Sequence, residues 1–165
     1  MKRIINHLKY LKKLNVVGVK QSLEDEGASF DDLAIMRHIT RKAGLELNVK
    51  IGGCEAKNDM HFCEKLKVNA VVAPMVETDY ALRKFIQIVS KKNKQDLYVN
   101  LESIQAYNNI KKIMNSKSFN KLKGVVIGRS DLAGSINLEK SAVDSKRIYK
   151  LVLNLSKKIK KRKMI

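Results

Sequence analysis

Residues Gly124-Val125-Val126-Ile127-Gly128-Arg129-Ser130-Asp131-Leu132 decide how this chain is to be read. Four small or β-branched residues are too few for a helix, and they end at a glycine followed by polar groups. That is the pattern of a short strand buried on both faces, with chemistry at its carboxyl end. The pattern repeats upstream. Leu97-Tyr98-Val99-Asn100-Leu101 is an apolar strand ending at Glu102, Ala70-Val71-Val72-Ala73 is another closed by Pro74, Leu45–Ile51 is broken by Gly52-Gly53, and Val16-Val17-Gly18-Val19 is the first. Helical spacing fills the intervals: Ser29 or Asp31 caps a helix that stops near Gly44, and Lys57–Lys67, Thr78–Lys92 and Ile104–Asn115 follow. An amphipathic helix over residues 1–15 opens the chain, and Ser141–Lys161 is the last helix.

Five strands, each followed by a helix, predict an α/β protein with a parallel sheet, because parallel neighbours need crossover connections. Two architectures fit: an open doubly wound sheet and a (β/α)8 barrel, of which five of eight units would be present. Both put Glu24-Asp25-Glu26, Lys50, Glu77, Glu102 and Asp131 at the carboxyl edge of the sheet, where α/β active sites lie. Neither a G-x-G-x-x-G nor a Walker loop follows the first strand, which weakens the nucleotide-binding form of the open sheet.

Composition sets the outer limits. The chain has 165 residues, is 44% hydrophobic, and can bury a core; it reads as one domain over residues 1–165. No apolar run approaches the ~20 residues of a membrane-spanning helix. The first residues lack the apolar block and cleavage site of a secretory signal. Cys54 and Cys63 fit neither a disulfide framework nor a common zinc spacing, and a reducing, cytoplasmic setting is expected. The net charge of +18 raises the question of nucleic acid. Its lysines outnumber its arginines 27 to 7, and the nine Tyr and Phe are not interleaved with basic residues as stacking platforms. A solvated lysine-rich surface is the expectation, with neither nucleic acid nor membrane as a partner. The end of the chain, residues 157–165, is strongly basic and reads as a solvated helix end.

Glu102 and Asp131 end neighbouring strands. Two such carboxylates can converge on one hard divalent cation, Mg²⁺ or Mn²⁺, or each can cap the helix that follows. A metal there would bind a 2-oxo acid and stabilise the enolate left by carbon–carbon cleavage. Lys50 can offset enolate charge or pair with Glu24 or Asp25. Glu24 and Asp25 can position metal-bound water or Lys50, or cap a helix. Glu77 can meet the site or cap the next helix, the cap being preferred; Cys54 can line the mouth or be an inert thiol, the latter preferred; and His7, His38 and His61 are read as surface or packing residues on helices.

Taken in order, Leu23-Glu24-Asp25-Glu26-Gly27, Val49-Lys50-Ile51-Gly52-Gly53, Val72-Ala73-Pro74-Met75-Val76-Glu77, Asn100-Leu101-Glu102 and Ile127-Gly128-Arg129-Ser130-Asp131-Leu132 resemble the HpcH/HpaI aldolase/citrate lyase family of the phosphoenolpyruvate/pyruvate barrel superfamily. The resemblance runs from about Val16 to Asn137. It implies a Mg²⁺-dependent lyase acting on a 2-oxo acid or a related acyl thioester. Glu102 and Asp131 would hold the metal, and the backbone of Gly128, Arg129, Ser130 and Asp131 would hold the substrate carboxylate. Lys50 stands where many members carry arginine. The first loop has the acids of the citrate lyase branch in place of the histidine of the aldolase branch, which leaves the acid/base unassigned. The same resemblance implies a barrel stopped at its fifth unit, with Met164-Ile165 opening a sixth strand. Strands one and five would then have free edges, to be covered by a second copy or by a chain completing the barrel. A binding or assembly module without catalysis is the alternative, and a basic nucleic-acid-binding protein a further one.

Overall fold

The computed structural model describes residues 1–161; Arg162, Lys163 and the expected sixth strand at Met164-Ile165 lie outside them. Five parallel strands, β1 (Gly18–Ser22), β2 (Glu46–Lys50), β3 (Ala70–Ala73), β4 (Asp96–Leu101) and β5 (Gly124–Ile127), pair in the order β1-β2-β3-β4-β5. That order decides between the two architectures. A doubly wound sheet reverses direction at a switch point and brings non-consecutive strands together. Here each strand lies beside its predecessor. With right-handed crossovers, an unreversed order places every crossover helix on one face and leaves the other face as the interior of a barrel. The chain is a partial (β/α)8 barrel of five strands with, among the described residues, seven α-helices.

The helices are α1 (Lys2–Lys13), α2 (Phe30–Ala43), α3 (Lys57–Leu66), α4 (Asp79–Ile88), α5 (Ile104–Asn115), α6 (Arg129–Gly134) and α7 (Lys146–Lys160). Alternation along the strands separates the two faces of the sheet. Leu47, Val49, Val71, Val99 and Leu101 are fully buried in the main core with Leu33, Phe85 and Ile113 from the helices. The other row, Asn48, Lys50, Val72, Tyr98 and Asn100, carries the polar groups. A smaller cluster of Leu132, Ala133 and Ile148 ties α6 to α7.

Four expectations are corrected. The first strand begins at Gly18 and runs through Lys20, Gln21 and Ser22, leaving Val17 75% exposed. Pairing decides this: Gly18 to Ser22 register with Glu46 to Lys50, and the ladder carries polar residues that local apolarity would not select. Helix α4 stops at Ile88 because Val89 turns extended and the Ser90 N–H donates to Glu64 Oε1 at 3.0 Å. The last helix starts at Lys146, capped by Ser145, after a 3₁₀ turn over Lys140–Asp144. Helix α6 contains Asp131 in its first turn in place of following it, and its six residues are too few for a periodic signal.

Candidate active site

Glu102 is the best-defined group at the carboxyl edge. It directly follows β4, is 2% exposed, and accepts one hydrogen bond on each oxygen. The Met75 N–H donates to Oε1 at 2.9 Å, and Asn100 Nδ2 donates to Oε2 at 2.7 Å. Met75 is in the left-handed region with φ +52°, a conformation disfavoured for a side chain of this kind. A Cβ at Gly128 would sit 2.6 Å from Glu102 Oε2, so only glycine fits where β5 hands over to α6. Ser103 then caps α5 by accepting from the Ala106 N–H at 3.1 Å, which removes capping from the duties of Glu102.

Lys50 ends β2 and is buried, with its ammonium donating to Asp25 Oδ2. Burial pulls the Lys50 pKa down, but the bond to Asp25 and the negative charges of Glu102, Asp25 and Asp131 outweigh it, and the net shift is upward. The bond from Lys50 holds the Asp25 carboxyl below the usual carboxylate range, against a smaller effect of burial. Lys50 therefore stays charged within the field of both Glu102 and Asp131. The pairing with Asp25 foreseen as one alternative is made, and it leaves the ammonium at the edge where the carboxylates gather.

The remaining candidates sort cleanly. Neither Glu24 nor Asp25 caps α2; Ser29 and Asp32 do, in a reciprocal capping box. Glu24 lies against Gly52, whose added Cβ would meet Oε1 at 2.9 Å. Asp131 sits exposed in the first turn of α6, beside exposed Arg129 and Ser130. The Arg129 guanidinium pairs with Asp144 at 2.5 Å, so what Arg129 offers the edge is its backbone. Helix α6 has no side-chain cap at Gly128, and the first N–H groups of any helix lack intrahelical acceptors. Glu77 is not the cap of α4, since Thr78 accepts from the Ala81 N–H at 3.0 Å. Burial pushes the Cys54 thiol up to about 11 and the Cys63 thiol to about 12, which suits inert thiols. His7, His38 and His61 are exposed on α1, α2 and α3. Sequence reasoning overlooked Asn100 and Met75; the available signal was an amide two residues before Glu102, hence on its face of the strand.

Among the described residues no group of three or more His, Cys, Asp or Glu side chains gathers as a metal site. The oxygen donors at this edge nonetheless suit a hard cation. They are the carboxylates of Glu102, held by two donors, and of Asp131, both of which act on the Lys50 ammonium. A cavity of about 760 Å³ lies at the opposite edge, around Glu46, Asn69, Gln95 and Asp96 at the amino ends of β2 to β4. It is remote from these charged groups.

The profile of the HpcH/HpaI aldolase/citrate lyase family matches residues 31–158. The chain belongs to this family. The match takes in Lys50, Glu102 and Asp131 and begins after Glu24 and Asp25. Solved structures of similar fold include citrate synthase SbnG, at a TM-score of 0.83 and 11% identity over 97% of this chain and 71% of that one. Another is the HpcH/HpaI aldolase from Desulfitobacterium hafniense DCB-2, at 0.82 and 10% over 98% and 71%. RipC from Yersinia pestis follows the fold at 0.64 and 19% over 88% and 66%. At these identities the likeness is one of fold. No curated protein matches the sequence.

Proposed function

We propose that this HpcH/HpaI family chain acts as a carbon–carbon lyase or aldolase on a 2-oxo acid or a related acyl thioester, with Mg²⁺ or Mn²⁺ held by Glu102 and Asp131. The supporting observation is one sheet edge that collects a buried, doubly hydrogen-bonded Glu102 and a charged Lys50 lying in the field of Glu102 and Asp131. A bound divalent cation would polarise the substrate carbonyl as a Lewis acid. The chain's own groups do the rest. Cleavage leaves an electron pair on the substrate as an enolate, and the Lys50 ammonium, held protonated and aimed by Asp25, offsets that charge. The N–H groups at the start of α6 bind the substrate carboxylate, and Gly128 leaves room for Glu102 beside them. The partner in assembly is a second copy or a chain that continues the barrel.

Calorimetric titration of Mg²⁺ in the presence of pyruvate tests this reading. Glu102→Gln and Asp131→Asn are each expected to abolish ion binding with the fold retained, because glutamine keeps the shape of Glu102 and Asp131 is exposed in the first turn of α6, so neither exchange opens a core cavity. Lys50→Ala should keep the ion and weaken oxo-acid binding. Wild-type affinity in both carboxylate variants would overturn the metal, and the barrel would then stand as a binding or assembly module.

A further inference from the structure

Asn100 is buried at 7% exposure in the interior of β4, on the face that carries Glu102. Its amide makes one bond, from Nδ2 to Glu102 Oε2 at 2.7 Å, and its Oδ1 is buried without a partner. A buried acceptor left empty works against folding, and an apolar side chain of similar size would not carry that penalty. Val99 and Leu101, on either side of it in the strand, face the main core, so Asn100 stands on the opposite face with Lys50, Val72 and Tyr98. What it provides is orientation. Glu102 Oε1 is tied to the Met75 N–H and Oε2 to Asn100, while Gly128 closes the remaining side, so the carboxylate is held in one pose.

We infer that Asn100 is a positioning residue that aims the Glu102 carboxylate for cation binding. The inference rests on the metal reading above and goes beyond it by assigning the orientation of Glu102 to a residue that itself need not touch the ion. Groups that orient metal ligands characteristically change affinity 10- to 100-fold when removed.

The test is Mn²⁺ titration followed by calorimetry and by the loss of the free-ion paramagnetic resonance signal, with thermal unfolding of the metal-free proteins alongside. Asn100→Leu should weaken Mn²⁺ binding by about 10- to 100-fold, while the metal-free protein still unfolds cooperatively. Asn100→Thr, which restores a donor hydroxyl on a β-branched frame suited to a strand, should recover part of the affinity. Wild-type affinity in Asn100→Leu would overturn the inference and leave the metal site standing. Failure of that variant to fold would also overturn it, since the amide would then be structural. Equal weakening in the Leu and Thr variants would remove the donor from the account. Absence of Mn²⁺ binding in the wild type, matching Glu102→Gln, would overturn the metal reading and this inference with it.

Discussion

Lys50 and Asp25 show how single residues set the charge of the site. Lys50 is nearly enclosed, with its side chain 10% exposed, whereas that of Asp25 is 56% exposed. Each partner favours the charged form of the other, and the signs give a pH window. The Asp25 carboxyl is depressed, so its contribution is present above the ordinary value near ~3.9 and is lost as pH falls through the folded value. The Lys50 ammonium is raised, so its contribution is complete below its ordinary value near ~10.4 and is lost as pH rises through the folded value. Asp25→Asn should therefore cost about 1 kcal/mol or less across neutral pH, given the exposure of the carboxylate. Urea unfolding of both proteins from acid to alkaline pH should show the difference shrinking at the two extremes. A difference that persists unchanged below the carboxylate range would count against the pair. At this scale the types and order of Lys50, Glu102 and Asp131 were legible in the sequence. The bonds that aim them were not, because Met75 reaches Glu102 from the loop after β3, and the place of Asn100 two residues earlier on β4 does not by itself show the bond it makes.

Elements are decided at their ends. Helix α2 begins with Ser29 Oγ accepting from the Asp32 N–H at 3.1 Å while Asp32 accepts from the Ser29 N–H at 3.0 Å. It ends at Gly44, in the left-handed region at φ +70°. Both signals are local and could be read from the sequence. Ser29→Ala should lower stability by about 1 kcal/mol, the usual worth of such a cap, with urea unfolding as the measurement. An unchanged midpoint and slope would show that the loop leading from Glu24 to Ala28 holds the helix start by other means. The other helix ends escaped the sequence for a physical reason. Helix α4 stops where Glu64 of α3 captures the Ser90 N–H, and β1 takes its limits from its register with β2. Long-range contacts of this kind leave no local pattern.

For the whole molecule, sequential strand order has a consequence at the margins. β1 and β5 are the outer strands of the sheet, and an outer strand presents backbone N–H and C=O groups that seek partners. Val126 on β5 is 43% exposed. We expect the 165-residue chain, studied alone, to associate through these edges. Its charge of +18 opposes this by self-repulsion, and salt screens that repulsion. Sedimentation velocity should therefore show association that grows with concentration and with ionic strength. A monomer under all these conditions would show the edges to be otherwise protected.

The sequence by itself determined the alternation of five strands and their helices, the side of the sheet on which the acids and Lys50 fall, and the motifs of the HpcH/HpaI family. These follow from hydrophobic period, turn residues and strand length, all of which act over a few residues. Tertiary structure alone chose the barrel arc over the doubly wound sheet, because strand order is a matter of which edges meet. It alone placed β1 over polar residues, where pairing outweighs local apolarity. It also set Glu102 between Met75, Asn100 and Gly128, residues far apart in the chain except for Asn100. A buried carboxylate must find donors wherever folding brings them, and only the folded chain shows which donors those are.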